Sequence, residues 1–200
     1  MKPKWGRCLH LPILALLTLT AAGQQQRPWT LILNERLPYY GHRNWIVVAD
    51  SAYPLQSAPG IETILSNQTQ TETVRHVLEV LSKSQHVRPV VYTDRELKYV
   101  PEDDATGIGA YRQLLTGLFS SYLPGQTINA LPHDDIISKL DAASKTFNVL
   151  IIKTNMTLPY TSVFFELRAA YWSDEAEQRL RQVGQAVPPA LAAPAKRSGK

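Results

Sequence analysis

The sequence predicts an α/β fold: a layered single domain with a mostly buried mixed sheet flanked by helices. Three observations carry this. Apolar runs of strand length, such as Trp45, Ile46, Val47, Val48 and Ala49, are continuous rather than alternating, which suits strands covered on both faces. Between such runs lie stretches whose apolar residues recur at helical spacing, so strands and helices alternate. There is no internal repeat and no second core, and 200 residues with 44% hydrophobic content suffice for one domain of ordinary size.

Residues 1–23 read as a secretory signal peptide. Lys2, Lys4 and Arg7 precede an apolar segment from Leu9 to Leu19, and Ala21, Ala22 and Gly23 supply a small-residue cleavage region. The segment is too short for a spanning helix and contains Pro12, so no stable membrane insertion is expected after cleavage. The expected location is therefore exported, periplasmic or extracellular. Cys8, the only cysteine, falls within this leader.

The domain is expected over residues 24–183. After a polar linker, the run Trp45 to Ala49 forms the first strand, and Ser57 to Gly60 form a turn. Residues 69–87 predict an amphipathic helix, with Val74, Val77, Leu78 and Leu81 on one face. A strand follows at residues 89–93, then a charged connection at 94–104. Tyr111, Leu114, Leu115, Leu118 and Phe119 mark a helix closed by Pro124 and Gly125. A short strand at 127–130 leads to a helix opened by Pro132, with Asp134 and Asp135 in its first turn, where negative charge is favoured. Strands at 147–152 and 162–167 complete the pattern, and residues 184–200, rich in Pro and Ala, read as a disordered tail.

Charge argues against a nucleic-acid partner. The net charge is +4, but six of the 21 Lys and Arg lie in the first seven and last five residues, and the remaining 15 stand against 17 Asp and Glu. No basic stripe interleaved with aromatics remains in the middle. The chain also lacks a nucleophile elbow, a P-loop and an H-E-x-x-H pair, and the G-x-G at Gly107 has no third glycine. What is left is a set of polar residues at the ends of apolar runs: His42 and Asp50 around the first strand, His133 at a helix start, and Tyr160, Thr161 and Ser162 before the last strand. Side chains at such ends face a crevice in α/β sheets. Each also has a structural reading, as turn residue, cap, first-turn residue or core aromatic.

The stretch GHRNWIVVADSAYP and the later block PHDDIISKL to LPYTSVFFEL together resemble the D-ribose pyranase and L-fucose mutarotase family of sugar-ring isomerases. That family carries a Gly-His pair, a strand and an Asp, then a His-acidic helix start and a Pro-Tyr turn. The resemblance implies that His42 is the catalytic proton donor and that Asp50, His133, Tyr160, Thr161 and Ser162 hold a free monosaccharide. Ser162 departs from the family's Asn, and a hydroxyl is shorter and offers a single donor. The resemblance also implies a homo-oligomer whose sites draw on neighbouring subunits, and the proton transfers need no cofactor and no metal. The alternative reading is a non-catalytic carbohydrate-binding or oligomeric interaction module on the same fold.

Overall fold

Strand β1 (Trp45–Ala49) is fully buried along its length and lies in the middle of a six-stranded mixed sheet. The computed structural model describes residues 27–186, so the leader and most of the tail lie outside the described residues. The other strands are β2 (Ile61–Leu65), β3 (Val87–Asp94), β4 (Asn129–Leu131), β5 (Val149–Lys153) and β6 (Val163–Ala169), in the order β2-β5-β1-β6-β3-β4. β1 pairs parallel with β5 and antiparallel with β6, while β3 pairs antiparallel with β6 and parallel with β4. One strand, β6, therefore runs against the rest.

The continuous apolar runs are explained by cover on both faces. Ile46, Val48, Leu150, Ile152, Phe165 and Leu167 face a core closed by α1 (Trp29–Arg36), α2 (Gln70–Ser82) and α3 (Ile108–Tyr122). Their neighbours Trp45, Val47, Ala49, Val149, Ile151 and Phe164 face α4 (His133–Ser144), which contributes Ile136 and Leu140. Because side chains alternate along a strand, a two-sided core requires apolar residues at every position.

Local chemistry sets the element ends. Thr69 caps α2 through a reciprocal box with Glu72, in which each side chain accepts from the other's backbone N–H. The helix stops at Ser82, short of the expected 87, because Ser84 Oγ accepts from Val87 N and the His86 ring contacts Leu37 O and Tyr40 O at 3.1 Å. Val87 thereby becomes the first residue of β3. Gly60 sits where a Cβ would stand 2.4 Å from Ser144 O and 2.6 Å from Phe147 O. Gly60→Ala is expected to lower stability by about 1–3 kcal/mol, since both neighbours are backbone atoms, and urea denaturation measures it.

Three elements go beyond the sequence reading. α1 is held by Trp29 and Leu33 in the core and by a two-bond pair from Arg36 to Glu62 at 2.7 and 3.0 Å. β2 is an edge strand, only half-buried. α5 (Asp174–Ala186) is polar on most of its surface and runs past residue 184, where the tail is expected to begin. It starts there because three acidic residues occupy its first turn and Asp174 pairs with Arg88 at 2.9 Å. No helix among the described residues is long and apolar enough to cross a membrane.

Candidate functional site

Strand direction decides which polar ends meet. β1 and β3 run the same way and β6 runs against both, so Asp50 after β1, Asp94 ending β3 and Ser162 before β6 share one end of the sheet. Asp94 pairs in register with Leu131 of β4, which places His133, two residues further on, beside it.

Asp50 is fixed from two sides. Its Oδ1 accepts from Ala52 N at 2.9 Å and its Oδ2 accepts from Ser162 Oγ at 3.2 Å. Ser162 is buried, so its hydroxyl orients Asp50 from within the protein. Thr161 is also buried: its hydroxyl donates to Leu158 O, and its carbonyl accepts from Gln70 Nε2 at 2.8 Å and Tyr111 O–H at 2.6 Å. Tyr160 just before it is partly exposed and takes a left-handed backbone with φ 56, a conformation that disfavours side chains other than glycine. This turn swings the Tyr160 ring edge-on to His133, with centroids 5.6 Å apart and an interplanar angle of 81°.

His133 is the first residue of α4, and Glu96 in the short helix Arg95–Lys98 accepts its backbone N–H at 3.1 and 3.3 Å. The His133 ring Nδ1 lies 3.1 Å from Asp94 Oδ1. Asp94 is 2% exposed, and its Oδ2 has no hydrogen-bond partner among the described residues. Burial pushes the Asp94 pKa up to about 6; the bond and charge of His133 oppose the rise, and Glu96 and Asp50 add to it. The Tyr53 hydroxyl is a second buried polar atom without a partner among the described residues, and burial, with Asp141, Asp94 and Asp50 nearby, raises its pKa strongly.

Of the residues singled out in the sequence, Asp50, His133, Tyr160, Thr161 and Ser162 come together here. His42 does not: it precedes β1 at the opposite end of the sheet, and the five strand residues alone span about 16 Å. His42 opens onto a separate cavity of about 570 Å³ beside Arg168, Glu166, Trp172 and Arg181. The desolvation it undergoes there, with Arg168 and Arg43 nearby, lowers its pKa. In the sequence Asp94 and Glu96 fall within the charged connection at 94–104. The signal for Asp94 was an Asp closing an apolar strand, the same pattern that marks Asp50.

A further cavity of about 480 Å³ shares Asp94 but is lined mainly by Leu97, Leu115, Phe119, Leu123 and Ile128 on the α3 side, away from Asp50 and His133. Among the described residues no group of three or more His, Cys, Asp or Glu is placed to hold a metal ion.

Fold and site together define an α/β protein with an acid–base cluster of carboxylates, imidazole and phenol at one end of a mixed sheet. FucU from Bifidobacterium longum has this fold, with a TM-score of 0.50 at 14% identity over 70% of this chain and 96% of that one. Also similar are Bacillus subtilis RbsD complexed with D-ribose (TM-score 0.48, 20% identity, 68% and 91% covered) and the Streptococcus pneumoniae fucose mutarotase in complex with L-fucose (0.45, 22%, 72% and 97%). No family model matches the chain, and no curated protein does.

Proposed function

We propose that this protein is a sugar mutarotase of the pyranase type, interconverting anomers or ring forms of a free monosaccharide by acid–base catalysis. The observation that carries the reading is the convergence of Asp50, Asp94, His133 and Tyr160 at one end of the sheet. Ring opening removes a proton from the anomeric hydroxyl and delivers one to the ring oxygen as the C1–O bond breaks; reclosure reverses both transfers. The net change involves neither redox nor a covalent enzyme intermediate. Histidine suits such transfers near neutral pH, and acid–base assistance of this kind contributes about 10²- to 10⁴-fold.

In this reading Asp50 accepts sugar hydroxyls in charge-assisted bonds. The Tyr160 ring, partly exposed beside His133, covers a sugar face. His42 is the proton donor by resemblance. Since it lies at the far end of β1, it reaches such a site from a neighbouring copy, and the reading therefore includes a homo-oligomer. Export to the periplasm or extracellular space belongs to the same proposal and rests on the order of basic, apolar and small residues in positions 1–23.

Exchange NMR on the full chain with D-ribose, L-fucose and a panel of other aldoses tests it. Faster exchange between anomeric or ring-form signals, lost in Asp50→Ala and His42→Ala, is the expected result; acceleration of no sugar in the panel overturns it. One observation favours a second reading, a non-catalytic carbohydrate-binding module. Ser162 occupies one oxygen of Asp50, where the longer amide of an Asn would reach further. Saturable sugar binding by calorimetry without enhanced exchange selects that reading.

A further inference from the structure

We propose that Asp94 is a positioning residue: by accepting from Nδ1–H of His133, it fixes the imidazole in one tautomer and leaves Nε2 as the proton-accepting atom of the site. The proposal rests on the function above only for its effect on rate. Its structural half stands on geometry.

An ionised carboxylate accepts hydrogen bonds and donates none. With Oδ1 of Asp94 3.1 Å from Nδ1 of His133, an ionised Asp94 requires the proton on Nδ1. Neutral imidazole then carries its lone pair on Nε2, which has no hydrogen-bond partner among the described residues. The two side chains differ in the way this role needs. The Asp94 side chain is shut away from solvent, whereas 39% of the His133 side chain is exposed and open to a ligand.

Other contacts hold the pair still. Glu96 anchors the His133 backbone N–H, Tyr160 stands edge-on to the ring, and the β3–β4 register fixes where Asp94 ends. The other groups that bear most on Asp94 are Glu96 and Asp50, both acidic, and its hydrogen-bond partner among the described residues is His133. When His133 takes a proton on Nε2, Asp94 stabilises the imidazolium; when it returns the proton, the same Nδ1–H tautomer is restored. Asp94 itself never touches the sugar.

Long-range ¹⁵N–¹H correlation spectra at pH 7.5 report histidine tautomers directly, and His133→Gln assigns the signal by removing it. In the wild type His133 is expected as the Nδ1–H form. Asp94→Asn, which keeps size and shape but can donate to Nδ1, is expected to shift the ring toward Nε2–H and to slow sugar exchange at least tenfold. Asp94→Glu is expected to recover part of both. A wild-type Nε2–H tautomer, or an Asp94→Asn protein with His133 unchanged, overturns the proposal. A wild-type Nδ1–H tautomer that shifts in Asp94→Asn, in a protein that accelerates no sugar, leaves the positioning role standing and sinks the enzymatic reading instead.

Discussion

Gln70→Leu is expected to lower stability by about 2–4 kcal/mol and to loosen both walls of the candidate site at once. Gln70 is the first residue of α2 and is completely buried. Its amide donates to Val48 O at 2.9 Å and Thr161 O at 2.8 Å, and its carbonyl accepts from Thr154 Oγ1 at 2.6 Å. Val48 lies two residues before Asp50 and Thr161 one before Ser162, so a single side chain ties the end of β1 to the start of β6. Leucine fills similar volume but leaves Val48 O without its amide partner. Thr161 O keeps Tyr111, and Thr154 keeps Ala49 O at 3.0 Å, which limits the loss. Gln70→Glu separates the two roles of the amide. An ionised carboxylate would face two carbonyl oxygens, so the loss should exceed that of leucine at neutral pH and shrink on acidification. Urea denaturation of both variants at two pH values checks this, and a Gln70→Glu protein as stable as wild type at neutral pH would contradict it.

The same bond network shows what the sequence could and could not convey. β1 was legible to the residue because burial on both faces forces an unbroken apolar run, and α4 because Pro132 and two acidic residues announce its start. β2 was not: an edge strand has one neighbour, so Ile61, Glu62 and Thr63 need follow no strict pattern. α5 carries only a narrow apolar stripe, Ala176, Leu180 and Val183, in an otherwise polar segment, and Leu180 and Val183 stay exposed, so no buried face marks it. At the site, Asp50 and His133 stood out because each sits at the end of a recognisable element. Asp94 occupies the same kind of position, but its partner lies 39 residues away and is reached through the β3–β4 register. Sequence spacing carries no trace of such a register. Thr161 shows the opposite case, since its place beside Tyr160 and Ser162 suggested ligand contact while its hydroxyl and carbonyl are engaged inside the protein.

The separation of His42 from Asp50 follows from strand geometry alone. A five-residue strand advances about 3.3 Å per residue, so residues bracketing it cannot share one small ligand. The GHRNWIVVAD stretch is therefore two half-sites facing opposite ends of the sheet. Any reaction that uses both needs two copies arranged so that the end of β1 in one approaches the start of β1 in the other. Light scattering showing a monomer at assay concentration would leave His42 without a role in the chemistry proposed here.

Asp94→Asn is expected to make the protein more stable at neutral pH while impairing the acid–base role proposed for the site. Burial raises the Asp94 pKa from 3.8 to about 6, so the native state holds this proton more tightly than the unfolded chain does. Stability then falls as pH rises between those two values, because the native state must give up a proton that the unfolded chain has already lost. Below about pH 3.8 both states are protonated and Asp94 carries no penalty; above about pH 6 the full penalty applies, roughly 3 kcal/mol at 1.36 kcal/mol per unit. Asparagine cannot ionise and should escape it. The stability advantage of Asp94→Asn is expected to grow by about 2 kcal/mol between roughly pH 4.5 and pH 7.5, read from urea midpoints at constant m. An advantage that stays flat across that range would show that Asp94 is fully compensated by His133 and belongs to a structural ion pair. A growing one identifies a buried charge that the fold bears at a thermodynamic loss, with one oxygen unpartnered among the described residues. Such a charge is expected where function, rather than packing, holds the residue in place.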